Sequence, residues 1–184
     1  TTNSNQTICN SDTALLVAMG ADTYVWYPAT TLSCSTCDST QAFPAVTTNY
    51  TVIGTLGNGC KDTAAVTVQV DTLPVVSAGP DKEICIGNST LLQATGANTY
   101  TWTPPTGLSC TNCASPAANP TTTTTYIVTG TNGNNCSARD TVKITVNPLP
   151  FVSAGGDTAI CKGIGVTLLA TGADTFTWTP ATGL

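Results

Sequence analysis

At 184 residues, with 8% charged side chains and a formal charge of −5, the chain has no basic patch to hold nucleic acid, and its sign opposes binding to an anionic membrane surface. It contains no His, which removes the commonest general base, the Ser-His and Cys-His nucleophile pairs and most zinc sites together. Nine Cys beside 39 Thr, at a charge content far below that of ordinary soluble domains, predict an oxidising setting outside the cytosol, and no apolar run approaches the roughly 20 residues of a membrane helix.

A period runs through the chain. Cys9, Cys85 and Cys161 stand 76 residues apart, as do Trp26, Trp102 and Trp178. Cys34 and Cys110, Cys37 and Cys113, and Cys60 and Cys136 keep the same step without an insertion, the mark of a tandem array. Thr1 aligns with Ser77 and Leu184 with Leu108. The spacing therefore predicts a piece of a longer array: residues 1–74 as a first unit lacking its first residues, 75–150 as a second, and 151–184 as the first strands of a third.

No segment places apolar residues at helical spacing, whereas period-two alternation recurs, so the reading is all β. In the second unit an extended piece, Val75 to Ile86, is broken at Gly79-Pro80 and closed by Gly87-Asn88-Ser89. The next strand turns Leu92 and Ala94 inward, matching Leu16 and Leu168 and Ala18 and Ala170. The column between them, Val17, Gln93 and Leu169, is mixed and faces out. After Gly96-Ala97-Asn98 comes a strand in which Tyr100 and Trp102 alternate with outward Thr101 and Thr103, and Pro104-Pro105 ends it.

From there to Pro120 the composition allows at most short edge strands. Thr124 to Gly130 then puts Tyr126 and Val128 on one face, matching Tyr50 and Val52. The turn Asn132-Gly133-Asn134 leads into Val142, Ile144 and Val146, matching Val66, Val68 and Val70. Seven or so short strands, with a Trp on the third and a Tyr opening the penultimate one, predict an immunoglobulin-like β-sandwich in each 76-residue unit. The linkers Asp71-Thr72-Leu73-Pro74 and Asn147-Pro148-Leu149-Pro150 are short and Pro-stiffened, so the units are expected to stack end to end as a semi-rigid rod.

The cysteines divide into two kinds. Cys34-Ser35-Thr36-Cys37 and Cys110-Thr111-Asn112-Cys113 lack the helix and the βαβ setting of a redox site, and are read as local disulfides stapling a long loop. Cys85 falls at the outgoing end of its sandwich and Cys136 at the incoming end, separated by a strand of ~20 Å, against the ~7 Å a disulfide spans between Cα atoms. An inter-unit bridge from Cys9 to Cys136 is therefore favoured, leaving Cys60, Cys85 and Cys161 to units beyond the chain. Intra-unit pairing of Cys9 with Cys60 and Cys85 with Cys136 stays open as the alternative.

The sequence order CxG, TLxATGAxTYTWTP, TGLSCTNC, TTTTTYxVTGTNGNxC and DTVxITVNPLPxVSAG resembles the PKD-like, immunoglobulin-like repeats of large surface adhesins of Bacteroidota, including gliding-motility adhesins exported by type 9 secretion. The resemblance covers essentially the whole chain. It implies a secreted or cell-surface location and a structural or adhesive role in a filament or stalk. Thr13, Ser39, Thr63, Thr72, Thr141 and Thr158 each follow an Asp in a pattern similar to the O-glycosylation motif of that group, against the alternative that Asp-Thr simply starts turns and strands.

The sequons at Asn5, Asn49, Asn88 and Asn135 matter only in a source that N-glycosylates. Scattered acids predict no calcium or other metal, and no cofactor is implied. The Trp columns read as core rather than as a sugar platform, and no Lys column repeats among Lys61, Lys82, Lys143 and Lys162, which opposes an autocatalytic Lys-Asn crosslink. The expected partners are neighbouring repeats of the same chain and, given so little charge, further copies in fibres.

The sequence leaves two other functions open. In one, the loop after the third strand binds glycan or protein; in the other, the array is a spacer for a catalytic domain elsewhere. That loop differs between units, Asp38 to Phe43 against Ala114 to Asn119, which opposes a shared ligand site, and nothing in these residues supports catalysis.

Overall fold

The computed structural model describes residues 1–181. Two β-sandwiches follow one another along the chain. The first contains β1 (Gln6–Cys9), β2 (Ala14–Val17), β3 (Thr23–Tyr27), β4 (Ser39–Ala42), β5 (Thr48–Thr55) and β6 (Lys61–Asp71). The second contains β7 (Lys82–Cys85), β8 (Thr90–Leu91), β9 (Thr99–Thr103), β10 (Ala117–Ala118), β11 (Thr124–Thr131) and β12 (Ser137–Asn147).

Each sandwich sets a four-stranded sheet, ordered β1-β6-β5-β3 or β7-β12-β11-β9, against a two-stranded one, β2-β4 or β10-β8. The first strand runs parallel to the last, Gln6 opposite Val68 and Lys82 opposite Ile144, and the other ladders are antiparallel. A third strand, a fifth and a sixth hydrogen-bonded together and facing the second and fourth is the immunoglobulin-like arrangement.

Period-two alternation explains which side chains meet. Trp26 lies opposite Val52, and Tyr50 opposite Val66. These pack on Ala14, Leu16 and Ala42 from the facing sheet, all nearly or fully buried. Trp102, Val128, Tyr126 and Val142 repeat the set over Leu92 and Ala118. At roughly 1.5–3 kcal/mol for each large apolar side chain buried, these few residues supply most of the apolar stabilisation of each sandwich.

The small sheets differ in length for a local reason. Leu16 pairs with Thr40, whose backbone N–H continues the β2–β4 ladder. The equivalent position in the second sandwich is Pro116, which lacks an N–H. There the ladder shrinks to two residues, continued by Leu92 N–H to the Pro116 carbonyl (2.9 Å) and Ala94 N–H to the Ala114 carbonyl (2.8 Å).

The strands expected at 151–184 take shape only as a bridge between Ser153 and Thr171 among the described residues; 182–184 lie outside them. Phe151 is 89% exposed, and Leu168, expected to face inward like Leu16 and Leu92, is 45% exposed. The described residues supply no counterpart of β11 and β12 for such strands to pair with, and an unsupported strand pair is marginal in water.

Candidate functional site

The junction between the sandwiches carries the densest chemistry. Because β1 runs parallel to β6, its last residue, Cys9, stands opposite Asp71, where the chain leaves the first sandwich. At the incoming end of the second, the β11–β12 turn is shaped by Asn132. Its Oδ1 accepts from the N–H groups of Asn134 and Cys136, both at 3.0 Å, and its backbone N–H donates to the Cys136 carbonyl at 2.9 Å. Asn135 completes the turn in the left-handed region, φ 62°, which Asn tolerates.

The turn presents Cys136 to Cys9, and the two are joined by a disulfide with Cα atoms 5.6 Å apart and a sequence separation of 127. Of the two connectivities open from sequence, the structure carries the one between sandwiches. Asn132 adds a second tie, its Nδ2 donating to the Thr72 carbonyl of the linker at 2.9 Å.

The CxxC pairs form the other two bridges, Cys34–Cys37 and Cys110–Cys113, with Cα atoms 5.7 and 6.0 Å apart. Each loop turns its last carbonyl onto a core indole. Trp26 Nε1–H donates to the Cys37 carbonyl, and Trp102 Nε1–H to the Cys113 carbonyl, both at 2.9 Å. A buried indole N–H needs such an acceptor. The backbone N–H groups of the same Trp residues bond to the Ser35 and Thr111 carbonyls. Thr40, the one buried polar residue among those described, receives the Cys34 N–H at 3.0 Å on its Oγ1.

Cys60, Cys85 and Cys161 are exposed free thiols. Cys60 closes the β5–β6 turn, as Cys136 closes β11–β12, and Cys85 stands opposite Asn147 as Cys9 stands opposite Asp71. Thr13, Ser39, Thr63, Thr72, Thr141 and Thr158 are all exposed. The stretches from Asp38 to Phe43 and from Ala114 to Asn119 are partly ordered as β4 and β10. Trp26 and Trp102 lie in the cores, and Trp178 is half-buried.

Three contacts had no sequence signal strong enough to single them out. Asn132 stands where the first unit has Leu56, and only the fold brings it to Thr72. Asp140 Oδ2 accepts the Ala78 N–H at 2.8 Å. That bond, then the Thr141 N–H, holds the carboxyl below the ordinary Asp range.

The third is the seat of the incoming segment. A Cβ on Gly96 would overlap the Val75 carbonyl, and one on Gly130 would meet Val76 Cγ2 at 2.6 Å. Val76 thus packs where a larger residue could not be accommodated. In the first sandwich the same place is a cavity of about 260 Å³ lined by Gly20, Ala21, Tyr24, Gly54, Leu56 and Cys60.

No protein-family model matches the chain, and no curated protein does. Solved structures similar to it include the two-domain DIP-gamma IG1+IG2, at 13% identity and a TM-score of 0.39 over 78% of this chain and 93% of that one. Domains 3–5 of the Drosophila OTK extracellular region are 15% identical with a TM-score of 0.41, over 78% of this chain and 59% of that one. The insect immune protein hemolin is 12% identical at 0.40, over 80% of this chain and 46% of that one. This chain thus spans less than two thirds of the latter two.

Proposed function

We propose that the chain is a structural and adhesive segment of an extracellular or cell-surface filament. It is built from 76-residue immunoglobulin-like units, bounded at 1–74 and 75–150 with a third beginning at 151, stacked end to end and locked by disulfides between neighbours. The observation that carries this reading is the Cys9–Cys136 bridge, which ties the outgoing end of one sandwich to the incoming turn of the next. A binding module that needed mobile domains would gain nothing from such a tie, whereas a stalk gains resistance to bending. Three disulfides in the chain fit an oxidising compartment.

The motif order resembles that of PKD-like repeats in Bacteroidota surface adhesins, which favours a type 9 secretion substrate. Cys60, Cys85 and Cys161 are then the halves of further bridges of the Cys9–Cys136 kind. The exposure of Thr13, Ser39, Thr63, Thr72, Thr141 and Thr158 leaves them open to O-glycosylation, which would hydrate a surface with so few charges.

Antibody raised to the chain should label intact cells of the source, and brief surface proteolysis should remove the label. Labelling only after lysis would refute the surface reading. Native material should also exceed the sequence mass by whole glycan units, and equality would dispose of the glycosylation.

A further inference from the structure

We propose that the Cys9–Cys136 bridge gives the chain a tension-bearing function, carrying pull from its first residues to the end of β12 along strands that are already extended and leaving the rest of both sandwiches outside the path of force. The inference rests on the stalk reading only for the source of the tension; the path itself follows from connectivity.

A pull on the first residues travels along β1 to Cys9. There the shortest covalent route crosses the disulfide to Cys136 rather than entering the 127-residue separation that the bridge closes. From Cys136 it enters β12, Ser137–Asn147, which lies between β7 and β11 within its sheet. This strand runs from the incoming turn to the outgoing end of the second sandwich, where Asn147 stands opposite Cys85. A β-strand rises ~3.3 Å per residue, close to the limit of an extended chain. The route through the second sandwich therefore has almost no length in reserve.

Residues 10–135, including Trp26 and Trp102 and most of the core around each, lie in the closed loop and cannot be drawn out while the disulfide stands. Fully extended they would add ~400 Å. The CxxC bridges close only three-residue separations and hide almost nothing. The two kinds of disulfide are thus mechanically distinct. A tandem sandwich array without the cross-unit bridge lengthens by unfolding its units in turn; the bridged pair holds its length until a covalent bond is reduced.

The experiment is single-molecule force spectroscopy on the whole chain, held by enzymatically attached handles at each end so that no cysteine is consumed. The oxidised chain is expected to show no unfolding step approaching ~200 Å before detachment. Adding dithiothreitol, or using Cys9→Ala/Cys136→Ala, should release two such steps, one for each sandwich. Steps of ~200 Å in oxidised chains whose Cys9–Cys136 linkage is verified by non-reducing peptide mapping would overturn the proposal. So would the absence of any gain after reduction. The dithiothreitol arm serves if the double variant fails to fold. Because surface labelling plays no part, the tether can fail while the adhesin reading stands, and the reverse.

Discussion

Breaking the cross-unit bridge should alter how the two sandwiches unfold as well as how stable they are. Suppose the second sandwich unfolds while the first stays folded. Cys9 is then fixed beside Asp71, and the disulfide closes a loop of about 65 residues, which lowers the entropy of that state by the equivalent of about 4 kcal/mol. Unfolding the first alone meets nearly the same penalty. Unfolding both closes one loop spanning the 127-residue separation, and because the penalty grows only with the logarithm of length it reaches about 5 kcal/mol. The two single penalties together exceed the joint one by about 3 kcal/mol, so the bridge disfavours every state with one sandwich open and makes the pair unfold together. The test is calorimetry on Cys9→Ala/Cys136→Ala, with Cys60, Cys85 and Cys161 changed to Ser in both chains so that no thiol can exchange. The bridged chain should give one transition whose calorimetric and van't Hoff enthalpies agree. The variant should melt at least about 10 °C lower in its weaker half and resolve into two transitions. Equal numbers of transitions, with midpoints agreeing to about 2 °C, would refute the loop argument.

Removing Cys110 and Cys113 together should cost the second sandwich only about 2 kcal/mol, because their sequence separation is 3, and urea unfolding followed by Trp fluorescence reads it; a loss larger than that from the cross-unit bridge would contradict the loop scaling. Asp140 is held below its ordinary value by the Ala78 and Thr141 N–H groups. Its contribution is therefore present above the unfolded-state pKa and lost as pH falls through the lower folded-state one. Following the Ala78 amide by NMR should show a titration midpoint below the free Asp value, absent in Asp140→Asn, and a midpoint at or above that value would end the argument. Adding a copy of Leu73–Val76 ahead of Thr1 should place a Val in the cavity beside Gly20 and Gly54. That should raise the melting point of the first sandwich by about 5–10 °C, a gain that vanishes when this Val is replaced by Asp.

The fold was legible because the chain states the sandwich pattern twice. In the two sandwiches the columns that stay apolar, such as Leu16 with Leu92 and Trp26 with Trp102, are buried, and the mixed column of Val17 and Gln93 is not. The bridge between Cys9 and Cys136 was within reach because strand length alone sets how far apart the ends of a sandwich lie. The contacts that escaped depend on single side chains without a counterpart in the other copy. Asn132 replaces Leu56 and Asp140 replaces Ala64, so period-based reasoning had nothing to compare. The pairing of Trp26 Nε1 with the Cys37 carbonyl also escaped, because a sequence shows that a buried indole needs an acceptor but not which carbonyl will meet it.

Bonds of the same chemistry therefore act in different ways according to the length of chain they close. A CxxC bridge constrains so few residues that its entropic effect is small, and what it chiefly does is local. It fixes the backbone carbonyl that accepts from the buried indole N–H of Trp26 or Trp102. The Cys9–Cys136 bridge supplies no hydrogen-bond partner to either core, yet it spans 127 residues and couples two sandwiches that share few other contacts. Small sandwiches with modest cores need both kinds of help. A fold relying only on CxxC pairs would have well-ordered units joined by a Pro-stiffened linker and free to open one at a time. One relying only on cross-unit bridges would unfold together but from weaker cores. The repeat of both Cys patterns at the same 76-residue step is what a chain requires if each unit must be ordered inside and none is to open alone.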